Sequence, residues 1–300
     1  KKQVVSMISA TGEATEFTGF DVDNLSRFWA TIVDTRTDDR GDFLILDQSP
    51  FYAEMGGQVG DTGEVEVEDK AFRITATLKD ATGRHLHKVD GPIAEDVTGM
   101  DVVCSVDIER RQGIECHHTA THLLNWALRN ILGNHIRQAG SLVEKDRLRF
   151  DFSHFEPVKP NIIIDIEKIV NHLILENVLI NTLETAFDEK PKDVIAFFGD
   201  KYGDRVRIVD IGGFSRELCG GCHVRRTGEL GFFKIVSETG IAAGTRRIEA
   251  IAAHSSHSLA LDAFQTINNF SVLLNCHQGE VEQRLGAFLE DRHEMVKQIK

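Results

Sequence analysis

The sequence predicts an α+β protein, built as a small β-barrel, a two-layer α/β domain and a C-terminal helical segment. Three observations carry this reading. Up to about residue 106, short β-branched and aromatic runs alternate with Gly, Asp and Asn turn clusters, as strands separated by tight turns do. From residue 107 to 253 helix-period and strand-like segments alternate, and from 254 to 300 the apolar period is helical alone. A chain of 300 residues is long enough for more than one core, so the expected boundaries are 1–106, 107–253 and 254–300.

In the first segment the strand candidates are residues 28–33, 43–47, 64–67, 72–78, 85–89 and 101–106, and six strands at that spacing suggest a small barrel. Between the second and third lies Phe51-Tyr52-Ala53-Glu54-Met55-Gly56-Gly57-Gln58, which reads as a Gly-rich hairpin turn. Gly-Gly-Gln also occurs in peptide-release factors, where it meets the ester end of a tRNA, but three residues do not carry that inference. The second segment opens with a helix ending near Gly133, a suitable residue just past a helix C-terminus. A loop at Gln138-Ala139-Gly140-Ser141, a strand at 147–152 and a helix at 162–177 follow, then strands at 179–187, 194–198, 206–211, 231–238 and 247–252. Two helices against an antiparallel sheet make an α+β sandwich. Past residue 253, Leu259, Leu261, Phe264, Ile267, Phe270, Leu273 and Leu274 lead into Val281, Leu285, Phe288, Met295 and Ile299 at roughly heptad spacing, as in a helical hairpin or the root of a coiled coil.

The chemistry concentrates in His117-His118-Thr119-Ala120-Thr121-His122 and in Cys219-Gly220-Gly221-Cys222-His223. At about 100° per helical residue, His118 and His122 share one face with Asn125 and Arg129, while Ala120, Leu123, Leu124, Ala127, Leu128 and Ile131 fall on the opposite arc, where a core is expected. The histidines are therefore expected to face a cleft. Two imidazoles one turn apart supply half a tetrahedral zinc shell, and Cys219 with His223 can supply the rest. Thiolate and imidazole suit zinc better than magnesium or calcium. With 13 histidines in the chain, either pair alone could be helix-surface chance; together they carry weight. No Glu lies between His118 and His122 to act as a general base, which disfavours a zincin protease.

Composition narrows the partners. Lys+Arg of 34 against Asp+Glu of 47 give a net charge of -13, so indiscriminate binding to nucleic-acid backbone is disfavoured and any such partner must meet a local basic patch. Five cysteines, at 104, 116, 219, 222 and 276, are too few and odd in number for a disulfide framework. The chain has neither an 18-residue apolar run nor a signal-peptide pattern, so a soluble, cytoplasmic protein with no membrane partner is expected. A start at Lys-Lys-Gln and an end inside a helical pattern suggest a fragment of something longer.

The sequence resembles the editing region of the alanyl-tRNA synthetases. The resemblance rests on Glu16-Phe17-Thr18-Gly19-Phe20, residues 51–63, 118–124, 138–141, 148–153 and 219–224, and Arg246 to Glu249, and spans about 1–253. It implies a translation-factor-like β-barrel, an editing domain shared with threonyl-tRNA synthetases and free-standing editing proteins, and a helical segment leading to a further C-terminal domain. Carried over by position, the zinc ligands fall on His118, His122, Cys219 and His223. The catalytic candidates are Gln138, Thr119, Thr121 and Cys219. One departure stands in the Cys219 turn, where the family usually has Thr and this chain has Cys222, a thiol able to compete for the metal or merely pack beside it.

The implied activity is hydrolysis of the ester of tRNA(Ala) mischarged with serine or glycine. An alanine pocket cannot exclude glycine by size and rejects serine poorly, so a second site must bind the serine hydroxyl, for which Thr119, Thr121 and Gln138 are the candidates. The partners implied are the tRNA acceptor end and the rest of the synthetase chain, with Arg225, Arg226, Lys234, Arg246 and Arg247 expected to line the RNA path. Two other readings remain open: a free-standing trans-editing deacylase, and a non-catalytic, zinc-stabilised tRNA-docking module.

Overall fold

A computed structural model describes residues 13–196 and 203–298 of the chain. Its first strand, β1 (Glu16–Phe17), pairs in parallel with the short β4 (Gln48–Ser49). Six others, β2 (Phe28–Asp38), β3 (Gly41–Leu46), β5 (Gly63–Val67), β6 (Lys70–Lys79), β7 (His85–Val89) and β8 (Asp101–Val106), close into an antiparallel barrel in the order β2-β3-β7-β6-β5-β8. Closure leaves no open edge, and period-2 patterning fills the interior: Val65 and Val67 of β5 point inward while Glu64 is exposed. All six expected barrel strands are present, several of them longer than their apolar runs.

The barrel leads through Asp107, whose carboxylate caps the Arg110 amide, into α1 (Ile108–Leu132), which stops at Gly133 with φ of 107°. One side chain ties helix to barrel. The fully buried Arg111 guanidinium pairs with Asp61 and donates to the carbonyls of Gly19 (2.7 Å) and Pro50 (3.0 Å).

Beyond α1 lie two antiparallel sheets and a second helix. The four-stranded sheet runs β14 (Lys234–Ala242), β15 (Thr245–Ile251), β10 (Leu148–Ser153), β9 (Gln138–Val143); the three-stranded sheet runs β11 (Ile180–Ala186), β12 (Arg205–Ile211), β13 (Ser215–Leu218). With α2 (Pro160–Leu175) they enclose one apolar core, drawing Leu123, Leu124 and Leu128 from α1, Phe150 and Phe152 from β10, Val170 from α2 and Ile248 from β15. The expected loop at Gln138–Ser141 is instead strand β9, whose small polar residues pair with β10 through a bulge at Asp151/Phe152. Strand β13 follows a Gly-Gly turn and is too short for a period to show. Of the strand expected at 194–198, Ile195 bridges Glu217, and residues 197 and 198 lie outside the described residues.

Residues 254–300 form a separate unit, of which α3 (Ala253–Leu273) carries the start and α4 (Val281–Gln298) the end, joined by a turn in which Asn275 takes φ of 47°. Among the described residues no helix is long and apolar enough to cross a membrane.

Candidate metal centre and its cleft

The α1 histidines do not sit on a solvated face. His117 is fully buried, and His118 and His122 are 7% and 6% exposed. The polar stripe does face a cleft, as expected, but one narrowed by the barrel loop and the Cys219 turn, so its histidines are buried. His117 is a core residue: its Nδ1–H donates to Gly113 O (2.7 Å), and its Nε2 accepts from the Ala252 amide (3.0 Å).

His118, His122, Cys219 and His223 converge, each offering one ligand atom, all within 4.8 Å of one another. Cys219 Sγ lies 3.3 Å from His118 Nε2 and 3.3 Å from His223 Nε2. Each imidazole is turned by an oxygen on its far nitrogen. His118 Nδ1 meets Gln58 Oε1 at 2.6 Å, His223 Nδ1 meets Thr119 Oγ1 at 3.1 Å, and His122 Nδ1 meets the Glu217 carboxylate. Such partners fix the tautomer, leaving the Nε2 lone pairs free for a metal. His122 Nε2 is buried with no hydrogen-bond partner, an orphan that a cation would satisfy. The residues present fit a metal ion.

Charge supports the same division of roles. Burial opposes ionisation of Cys219, but the imidazoles of His118 and His223 outweigh it and hold the thiol well below its ordinary value. Burial likewise pushes His223 down to about 3, which keeps that imidazole neutral. At His122 burial is overcome by the Glu217 carboxylate and by Cys219, and the ring is raised to about 10, so a cation at Nε2 would take the place of a proton there. Cys222 stands apart: it is outside the converging set, 2% exposed, and burial raises its thiol to about 12. Its contribution to the turn is its amide, which donates to Gln58 Oε1 at 2.9 Å.

Gln58 is delivered by the Gly-rich stretch. Met55 and Gln58 close a tight hairpin with φ of 64° at Gly56 and 93° at Gly57, a conformation suited to glycine. The Gly57 backbone presses on Ser141 of β9, where an added Cβ would lie 2.7 Å from the Ser141 carbonyl oxygen. The stretch is the expected hairpin turn, and it also carries an amide into the metal centre. Gln58 and Glu217 were not foreseen as site residues. A Gly-Gly-Gln flanked by aromatics was the only trace of the first, and Glu217 left none.

A cleft of about 500 Å³ opens beside the four ligands, lined by His118, His122 and Cys219 together with Thr121, Asn125, Gln138, Ser141 and Glu217. Gln138 Nε2 donates to Ser141 Oγ (3.0 Å), and Asn125 Nδ2 donates to Glu217 (2.8 Å), leaving Asn125 Oδ1 buried and unpartnered. Thr121 back-bonds to the His117 carbonyl at 2.8 Å, whereas Thr119 is fully buried behind His223 and lies outside the cleft lining. None of the five expected RNA-contacting cations lines it either. Arg246 pairs with Glu238, Arg247 forms a bidentate pair with Asp151, Lys234 bonds Glu167, and Arg226 donates to the Asn177 carbonyl, while Arg225 is exposed.

The family described as threonyl and alanyl tRNA synthetase second additional domain matches residues 206–249, and that described as tRNA synthetases class II (A) matches residues 2–110. Similar proteins are the alanine-tRNA ligases of Opitutus terrae (44% identity, 100% of this chain, 33% of the relative), Hydrogenovibrio crunogenus (40%, 99% and 35%) and Bacillus subtilis (44%, 81% and 28%). The chain belongs to the alanyl-tRNA synthetase family, as a region holding the class II (A) segment and the second additional domain. It spans about a third of the length of these relatives.

Proposed function

We propose that this region is the editing hydrolase of its synthetase, cleaving the ester of tRNA(Ala) that carries serine or glycine. The observation that carries the reading is the ligand cluster with three oriented imidazoles opening onto a polar cleft. Zinc is the ion best matched to one thiolate and three imidazoles. Held by His118, His122, Cys219 and His223, such an ion would supply Lewis-acid chemistry and a fixed positive charge to the cleft.

The chain's own groups do the rest. Asn125 Oδ1, Gln138 and Thr121 offer polar atoms to a serine hydroxyl, and alanine offers them nothing in return. Glu217 holds His122 and Asn125 in place. In the reaction, a water oxygen bonds to the ester carbonyl carbon, the bond to the ribose oxygen breaks, and that oxygen leaves with a proton as the tRNA hydroxyl.

The test is deacylation of serine- and alanine-charged tRNA(Ala) at high protein concentration. Serine is expected to be released and alanine largely spared. Folded Cys219→Ala and His118→Ala proteins that release serine as fast as the parent would remove the metal centre from the chemistry. Ligation by four side chains favours a second reading, in which the ion is structural. In that case ligand variants lose fold and tRNA binding together, rather than turnover with binding kept.

A further inference from the structure

A second concavity adjoins the cleft at the junction of barrel and α/β domain. It is a groove of about 410 Å³, lined by Phe17, Phe20, Tyr52, Lys79, Arg205 and Arg207, with Glu184 its one carboxylate. It shares Tyr52, Met55, Arg205, Val206, Arg207 and Gly220 with the metal-side cleft, so the two are continuous. The aromatic rings form a chain, with Phe17 edge-on to Phe20 at 4.8 Å and to Tyr52 at 5.7 Å. Phe20 is 46% exposed, and the Arg207 guanidinium sits 4.1 Å from its ring centre. The same guanidinium donates to the carbonyls of Cys219 (3.1 Å) and Gly221 (2.8 Å), joining the aromatic wall to the metal turn. Lys79 is exposed and makes no ion pair among the described residues, and Arg205 lies 3.9 Å from Glu184.

We propose that this groove binds the single-stranded RNA next to the aminoacylated nucleoside, stacking a base on Phe20 and holding phosphate with Lys79 and Arg205. The proposal rests on the hydrolase reading for its orientation, with the charged end in the metal-side cleft. An exposed ring at Phe20 beside the unpaired ammonium of Lys79 is the combination that sequence-tolerant single-strand binding uses, and here it stands out against a net charge of -13. The cations expected from sequence are mostly engaged within the domain, whereas Lys79 makes no ion pair among the described residues and Arg205 meets only Glu184, at 3.9 Å.

The experiment compares seryl-tRNA(Ala) with 3′-seryl-adenosine, which is too short to reach the groove. Parent, Phe20→Ala, Lys79→Ala and a control, Phe155→Ala, a residue 88% exposed that lines neither concavity, are assayed with metal content monitored. In Phe20→Ala and Lys79→Ala, KM for the charged tRNA is expected to rise about tenfold, roughly the effect of one lost stack or phosphate contact. The kcat/KM ratio of tRNA to short ester should fall by the same factor, while Phe155→Ala follows the parent. Equal losses on both substrates, or no loss, overturn the groove. If the parent hydrolyses neither ester, the hydrolase reading fails by itself. Fluorescence anisotropy of a labelled single-stranded RNA hexamer ending in cytidine-cytidine-adenosine then decides: binding about tenfold weaker in the two variants supports the groove, and equal binding overturns it.

Discussion

Substituting Gly221 tests the metal centre through a single methyl group. A Cβ at Gly221 would lie 2.7 Å from Gln58 Oε1 and closer still to the His118 ring, whereas one at its neighbour Gly220 meets only Met55 Cε at 3.5 Å. Gln58 Oε1 must retreat by about 0.7 Å to reach the 3.4 Å of ordinary contact, and His118 must retreat further. Both are buried, so the strain cannot be relieved into solvent. Overpacking of this kind costs about 1–3 kcal/mol, and metal–ligand distances tolerate only about 0.2 Å. Gly221→Ala is therefore expected to lose roughly 10–100-fold in metal affinity, as when an orienting partner is removed, while Gly220→Ala keeps the parent value. Competition with a chromophoric chelator reads the affinity, and urea melts read the stability. A Gly221→Ala protein that binds metal within about threefold of the parent would refute the claim that the turn and His118 are packed to contact.

Other outcomes follow from the same contacts. Glu217→Ala strips His122 and Asn125 of their shared carboxylate and should weaken metal binding roughly 10–100-fold, measured by the same competition. Arg111→Leu leaves Asp61 buried and unpaired and should cost about 3–5 kcal/mol in a denaturant melt; a loss below about 1 kcal/mol would mean that the anchor is unimportant. Chelation should lower the melting temperature, and metal analysis of purified protein should find close to one zinc. Burial lowers His85 to about 4 and His87 to about 3, so both stay neutral in the fold while the unfolded chain takes up protons below about pH 6.5. Their contribution is complete above that pH and is lost as pH falls toward their folded values, by up to about 1.4 kcal/mol per histidine per pH unit. Buried Glu115, raised to about 7, acts in the opposite sense, but it is common to parent and variant. His87→Gln should therefore show a shallower loss of stability between pH 6.5 and 4 in urea melts, and parallel curves would contradict the linkage.

The barrel was legible because its strands obey a two-residue period and are punctuated by turns. Strand β9 was not, since Gln138, Ala139, Gly140 and Ser141 have turn-like composition and are held extended by their neighbour β10. The convergence of four candidate ligands was readable from spacing only within each segment, His118 to His122 and Cys219 to His223. Their environment was not readable, because an amphipathic pattern reports that one arc is polar and not that a second polar surface covers it. Thr119 shows the limit clearly: its place between two ligands suggested substrate contact, and the fold uses its hydroxyl on His223. Gln58 lies 60 residues from His118 in sequence, and Glu217 lies 95 from His122. Only the docking of hairpin on helix and strand on helix creates those pairs.

Because Gln58 arrives from the barrel side while Glu217 rises from β13, an ion bound at the cluster would be thermodynamically linked to the seating of the N-terminal segment on the α/β domain. Any ion held at the four ligands selects the docked arrangement over arrangements in which the hairpin has lifted, by RT ln(1 + [L]/Kd) of differential affinity. The hairpin also contributes Met55 and Gly56 to the cleft, and the barrel side contributes Phe17, Phe20 and Lys79 to the groove. Metal availability would then tune how firmly the entrance is held together, and proteolysis of residues 51–60 across a range of free zinc would expose that coupling as a concentration-dependent cleavage rate.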